Sequence, residues 1–421
     1  MIIAMIALQI YKCSARMACT KKSSLTIAAS YSEKPITMTM KKIKSLASLL
    51  VAGSLVFSSV GNSIACTVLI THDANGATYQ GRTNEYAGMQ PDRLTYYPSG
   101  SKIESMKPNG QSGLTFNTKY AILAATLHGM VPGTKQDFVH EGVNDQGMTF
   151  TVNALMGNKS AQLDANAQNV LAVTDMGTWA LGNFQNVAQV KQALQNKEVS
   201  VWLPKIPSMA NLEAPVHYAL FDKTGAGIVI EFWNGEVQVY DNQVGVMTNN
   251  PTFPWHLENL NNYAQLTNVD KNTGQFGNVK VNAYDSGNAL ANLPGSETSP
   301  GRFIKAAYYS TYIEKAKTPK LAIQNLAHVM NNFDRPVNIT IDMPGTGSKA
   351  EGASSKPTSE ATFFTVLNDL NNHKFYIRTI YAINFSSFDL NKLAVLKQTK
   401  VVTWDALNAT EGGDATGLFL N

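Results

Sequence analysis

The stretch that decides the fold runs Cys66-Thr67-Val68-Leu69-Ile70-Thr71-His72-Asp73-Ala74-Asn75-Gly76-Ala77-Thr78-Tyr79-Gln80-Gly81-Arg82-Thr83-Asn84-Glu85-Tyr86. Val68 to Ile70 is apolar and β-prone. Asp73-Ala74-Asn75-Gly76 carries hairpin-turn chemistry, and Thr78 to Arg82 is placed to run back beside the first strand. A tight hairpin brings Arg82 and Glu85 near Cys66. A guanidinium there favours the thiolate, and a carboxylate holds an α-ammonium.

The residues upstream give Cys66 a second meaning. Lys41-Lys42-Ile43-Lys44 is a basic n-region, and Leu46 to Val60 is a fifteen-residue apolar h-region, too short for a membrane span. Ser63-Ile64-Ala65 fits the small-x-small rule for signal peptidase. Cut after Ala65, the chain begins with Cys66, which then carries a thiol and an α-amine on one residue. Alone, a thiol of pKa ~8.5 and an amine of ~7.7–8 are weak tools. Side by side, the amine takes the thiol proton, directly or through one water, and the thiolate attacks a carbonyl. The expected organisation is therefore 1–65, a removed extension and signal with its natural start at Met38 or Met40, and 66–421, a single catalytic domain. No function is assigned to residues 1–37. The expected destination is secreted or periplasmic, with no stable membrane insertion after cleavage.

Charge and cysteines narrow the class. The net charge of +4 misleads. Removing the eight basic and one acidic residues of 1–65 from the chain's 34 and 30 leaves 26 and 29, a net of −3 over 356 residues. That balance gives no electrostatic case for nucleic acid. Cys13 and Cys19 lie upstream of the cut, so Cys66 stays as an unpaired thiol in an exported chain. A free cysteine is commonly an inert buried side chain. The cleavage site at its door, and the Arg and Glu that follow, argue for a reactive one.

Four motifs carry a resemblance. Cys66-Thr67 followed by Gly81-Arg82-Thr83-Asn84-Glu85 resembles the choloylglycine hydrolase family of conjugated bile salt hydrolases and penicillin V acylases. The resemblance implies an α+β, four-layer αββα N-terminal-nucleophile fold with two stacked, mainly antiparallel sheets. Asn144-Asp145-Gln146-Gly147-Met148 resembles the family's Asn-Glu-x-Gly-Leu turn; the strand after it implies a second oxyanion position near Asn153 or Ala154, where a backbone N–H would suffice. Thr248-Asn249-Asn250-Pro251-Thr252-Phe253 resembles Thr-Asn-x-Pro-x-Phe, implying that Asn249 donates its amide to the oxyanion. Pro294 to Phe303 resembles Pro-Gly-x-x-x-Ser-x-x-Arg-Phe, making Arg302 the second active-site arginine. The bland readings are an Asn-Asn-Pro turn and a solvated helix start. A cation is disfavoured at a helix N-terminus, so Arg302 is expected to have a specific anion, and Glu85 could supply it. Two residues depart from the family. Position 85 is Glu where many members have Asp, as in members that look like penicillin acylases, and Tyr86 replaces a common Trp.

Periodicity supplies the other elements. Strands are expected at Arg93–Pro98, Tyr120–Leu127, His217–Phe221, Ile228–Trp233, Glu236–Tyr240 and Val337–Ile341, with a closing hairpin of Phe363–Asp369 and Lys374–Ile383. Helices are expected over Asp175–Asn196, around Trp255, over Arg302–Glu314 and over Lys320–Phe333. Pro344 to Ala361 reads as a mobile loop. His128 and His256 are read as structural, since a terminal cysteine needs no histidine.

The reading is a cysteine N-terminal-nucleophile amidohydrolase with catalytic residues Cys66, Arg82, Glu85, Asn249 and Arg302, cleaving the linear amide of a small N-acyl compound. No metal or cofactor is expected. By resemblance the protein is a homo-oligomer, a tetramer, and candidate substrates are conjugated bile salts, penicillin V and N-acyl homoserine lactones. The rivals are a secreted lipoprotein or binding module modified at Cys66, and a papain-like hydrolase needing an internal cysteine.

Overall fold

A computed structural model describes residues 65–86, 92–131, 133–163, 167–207, 211–344 and 356–421. The expected secretion signal, Cys13 and Cys19, and most of the 344–361 stretch lie outside the described residues.

The strands of the two main sheets, in chain order, are β1 (Cys66–His72), β2 (Thr78–Tyr86), β3 (Asp92–Tyr97), β4 (Ile122–Leu127), β5 (Phe138–Asn144), β6 (Met148–Ala154), β7 (Val216–Asp222), β8 (Gly227–Trp233), β9 (Glu236–Asp241), β10 (Val246–Met247), β11 (Ala361–Asp369), β12 (Lys374–Thr379), β13 (Ser386–Asp389), β14 (Lys400–Thr403) and β15 (Gly413–Asp414). One sheet has the order β10-β1-β2-β11-β12-β13-β15, the other β9-β8-β7-β6-β5-β4-β3-β14. Pairing is antiparallel except between β13 and β15. Strands β4 to β7 are buried along their whole length, as strands covered on both faces must be.

Helices cover the outer faces. Helices α1 (Met176–Asn183) and α2 (Val187–Gln195) share one apolar core with Phe150, Val152, Tyr218, Leu220 and Ile230. After α3 (Phe253–Asn259), helices α4 (Ser299–Tyr312) and α5 (Pro319–Met330) share a second core with Val68, Ile70 and Leu367. Each of these two has a threonine N-cap, Thr298 or Thr318, with proline in its first turn. Helix α5 lies so close to β2 that a Cβ on Gly81 would sit 2.7 Å from Met330 Sδ. The four layers are the expected αββα sandwich. Among the described residues no helix is long and apolar enough to cross a membrane.

Three local expectations need correction. The helix expected over Asp175–Asn196 is two, because Phe184 turns extended and the Asn186 side chain caps α2 by accepting from Gln189 N. Val337–Ile341 forms no strand: Asn338 has a positive φ of 64°, and the segment is exposed. Only the Asp342–Thr358 bridge follows it. The last hairpin strand stops at Thr379, short of Ile383.

The sheets meet at the β5–β6 turn. Gly147 there has φ +80°, and a Cβ on it would lie 2.3 Å from the Leu370 carbonyl oxygen, in the β11–β12 turn of the other sheet. Gly147→Ala is therefore expected to destabilise the protein by roughly 2–3 kcal/mol, read as a lower urea midpoint at unchanged m-value.

Candidate active site

Cys66 opens β1 and is fully buried. The hairpin register sets it opposite Asn84 and sets Val68 opposite Arg82. Cys66 Sγ lies 3.4 Å from Asn84 Oδ1 and 3.4 Å from Arg82 Nη2. Ala65 continues the strand, its carbonyl accepting from Glu85 N at 2.8 Å. The Cys66 nitrogen, a peptide N–H in this chain, donates to Asn249 Oδ1 at 2.8 Å. Burial pushes the thiol up to about 12 against the pull of Arg82, with Glu85 adding to the rise. In the uncut chain the thiol therefore keeps its proton, and an amide nitrogen cannot take it.

Arg82 points from β2 into the space between the sheets. Its Nη2 donates to Val152 O at 2.9 Å and faces His140 Nε2 at 3.2 Å. An arginine only donates, so His140 Nε2 must accept and the ring is neutral; burial and the Arg82 charge hold His140 well below the usual range. The Phe364 ring lies 5.3 Å from the guanidinium carbon. The opposing charge is Glu141 on β5, with 3.7 Å between Oε2 and Arg82 Nε. Gln80 Nε2 donates to Glu141 Oε1 at 3.1 Å.

Asn249 and Arg302 hold the backbone beside the thiol. Arg302 Nη1 donates to Cys66 O at 2.5 Å and Thr67 Oγ1 at 2.7 Å. Its Nη2 donates to Asn249 Oδ1 at 2.9 Å and its Nε to Glu297 O at 3.0 Å. Two donors on Asn249 Oδ1 fix the amide orientation, and Nδ2 then donates to Ala154 O at 2.9 Å. The contact of Asn249 is thus with the Cys66 nitrogen, in place of the expected aim of Nδ2 at an oxyanion. Arg302 likewise meets neutral oxygens rather than Glu85. Glu85 accepts from Thr362 Oγ1 at 3.2 Å, beside the β11 bulge. Burial pushes it up to about 7, opposed first by Arg302. Arg302 therefore acts on Glu85 through space, and Glu85 does not hold the Cys66 nitrogen.

At the end of β6, Asn153 is the residue that reaches Cys66: its Nδ2 donates to Cys66 O at 3.3 Å and to Thr248 O at 2.7 Å. Ala154 contributes its carbonyl. His128 pairs with Asp137 at 2.8 Å. His256, held down to about 4 mainly by burial, donates Nε2 to Asn249 O at 2.9 Å. Sequence reasoning missed Asn84, His140 and Glu141. The hairpin register could have found Asn84; the other two come from the opposite sheet, and no local pattern announces them.

A model of the choloylglycine hydrolase family, linear amide C–N hydrolases, matches residues 66–404, and the chain belongs to that family. It is similar to the bile salt hydrolase/transferase of Clostridium perfringens (strain 13 / Type A), 28% identical over 268 residues, covering 63% of this chain and 78% of the relative. Among solved structures, a mutant of the conjugated bile acid hydrolase from Clostridium perfringens superposes with TM-score 0.66 at 23% identity, covering 81% of this chain and 97% of that one. The penicillin V acylase from Agrobacterium tumefaciens does so with TM-score 0.64 at 20% identity, covering 83% and 94%. Both show a shared fold. The chain is an amidohydrolase acting on linear amides.

Burial pushes Glu141 up to about 7, against Arg82 and the hydrogen bonds of Thr151 and Gln80. Between its ordinary value near 4.5 and that value, the folded chain holds a proton that the unfolded chain has released. Through this group, stability falls as pH rises from about 4.5 to 7. Glu141→Gln cannot titrate, so its stability should decline less steeply over that window, by up to about 1.4 kcal/mol per pH unit. Urea midpoints at pH 5 and 7 read the difference.

Proposed function

We propose that removal of residues 1–65 on export to the periplasm or beyond converts Cys66 into a terminal nucleophile that cleaves the amide of a small N-acyl compound. The supporting observation is the position of the Cys66 nitrogen, 2.8 Å from Asn249 Oδ1, on the residue whose Sγ faces Arg82. After the cut that nitrogen is an amine. It takes the thiol proton, and the new thiolate sits against the Arg82 cation. Attack on the substrate carbonyl forms a C–S bond and a tetrahedral oxyanion. Collapse breaks the C–N bond, the Cys66 ammonium returns its proton to the leaving amine, and water then hydrolyses the thioester. Arg302 fixes Cys66 through its carbonyl and Asn249, and Glu85 tunes the field.

Conjugated bile salts, penicillin V and N-acyl homoserine lactones are the candidate substrates, since each joins an apolar acyl group to an amine through a linear amide. The names of the relatives support the first two. Glu85 in place of Asp favours the acylase side of that choice.

Cys66→Ala of the mature protein should lose turnover of all three by at least about 10³-fold while keeping the parental melting temperature. Activity equal to the parent would remove the mechanism. Intact mass of the exported parent separates the rival reading. A chain starting at unmodified Cys66 supports the enzyme; an added diacylglycerol supports a lipoprotein.

A further inference from the structure

We propose that His217 and Glu231 form a buried hydrogen-bonded pair that positions the Thr248–Asn249 turn behind Cys66, so that both are positioning residues for amide hydrolysis. The inference rests on the reading of Asn249 as the holder of the Cys66 nitrogen. It goes beyond that reading because neither residue touches Cys66.

The geometry defines the contacts. His217 Nε2 lies 2.9 Å from Thr248 O, and Nδ1 lies 3.2 Å from Glu231 Oε1. A carbonyl can only accept, so Nε2 carries the proton that Thr248 O receives. Glu231 Oε1 also accepts from Phe253 N at 2.8 Å, and Oε2 accepts from Trp233 Nε1 at 3.0 Å. Both side chains are essentially sealed from solvent.

Their placement explains why a polar pair sits in a sheet interface. The register sets His217 opposite Asn153, so one row across β6, β7 and β8 carries Asn153, His217 and Glu231 toward the second sheet. The row grips the 248–253 segment at both ends, His217 through the Thr248 carbonyl and Glu231 through the Phe253 amide. Between these two anchors sits Asn249. Its N–H is bonded to Ser299 Oγ at 2.9 Å and its carbonyl to His256 at 2.9 Å. The other ionisable groups that feel the pair are His256 on α3 and, through Glu231, Tyr240 on β9. An apolar pair would fill the same volume without the desolvation cost, but it would leave the Thr248 carbonyl without its ring donor and the turn free to shift.

The test uses the mature enzyme with penicillin V or glycocholate, whichever the parent turns over. His217→Gln keeps an amide donor for Thr248 and removes the imidazole contact with Glu231; His217→Leu removes both. The expected result is a tenfold fall in kcat for His217→Gln and about a hundredfold fall for His217→Leu, with KM within threefold of the parent. The apparent pKa of Cys66 alkylation by iodoacetamide should rise by at least half a unit in both. Folded variants with parental kcat and parental alkylation profile would overturn the proposal, and His217→Gln alone decides in these terms if His217→Leu does not fold. Asn249→Ala separates the two levels. If it keeps parental kcat, the reading of Asn249 fails; if it is inactive while the His217 variants are parental, only this inference fails.

Discussion

The guanidinium of Arg82 is a full positive charge with no access to water, and the site is built around keeping it there. An isolated charge cannot sit between two sheets at acceptable cost. Four neighbours make this one tenable: the Val152 carbonyl, the neutral His140 ring, the face of Phe364 and the Glu141 carboxylate. Three of them come from the opposite sheet and Phe364 comes from β11, so the charge is placed only when the sandwich is closed. The β1–β2 register then sets the Cys66 thiol against that charge. The sheet-to-sheet packing therefore supplies the Cys66 thiol's environment as well as the protein's stability.

Two arginines approach Cys66 and divide the work. Arg82 meets the sulfur from the space between the sheets. Arg302 comes from α4, on the outer face of the same sheet, and meets the backbone carbonyl, Thr67 and Asn249. One shapes the field at the sulfur and the other fixes where the residue sits. In the uncut chain neither suffices, because burial outweighs Arg82 and keeps the thiol protonated near neutral pH. What the site lacks is a base. The Cys66 nitrogen, already anchored by Asn249, is the atom that peptide cleavage would convert into one.

Much of this was legible in the sequence because it is local. The Asp73–Gly76 turn fixes the hairpin register, and the register carries Cys66, Asn84 and Arg82 together. The start of α4 was readable from Thr298 and Pro300, and it places Arg302. What could not be read depends on contacts across the sandwich. Glu141 and His140 reach Arg82 from another sheet, and His217 reaches Thr248 and Glu231 reaches Phe253 the same way. The direction of the Asn249 amide follows from its having two donors on one oxygen, a fact about three chain segments at once. Glu85 lies beside Cys66 as the hairpin predicts, but its carboxylate meets Thr362 while the Cys66 nitrogen meets Asn249. The break at Asn186 was overlooked because apolar spacing runs straight through it.

The central claim is that the nucleophile is a cysteine with a free α-amine. The direct measurement is acid-quenched intact mass and peptide mapping of the mature protein during turnover of its fastest substrate. The account expects the acyl group as a thioester on a peptide that begins at Cys66 with no residue before it. Turnover with no acyl group on Cys66, or an acylated Cys66 still preceded by Ala65, would contradict it.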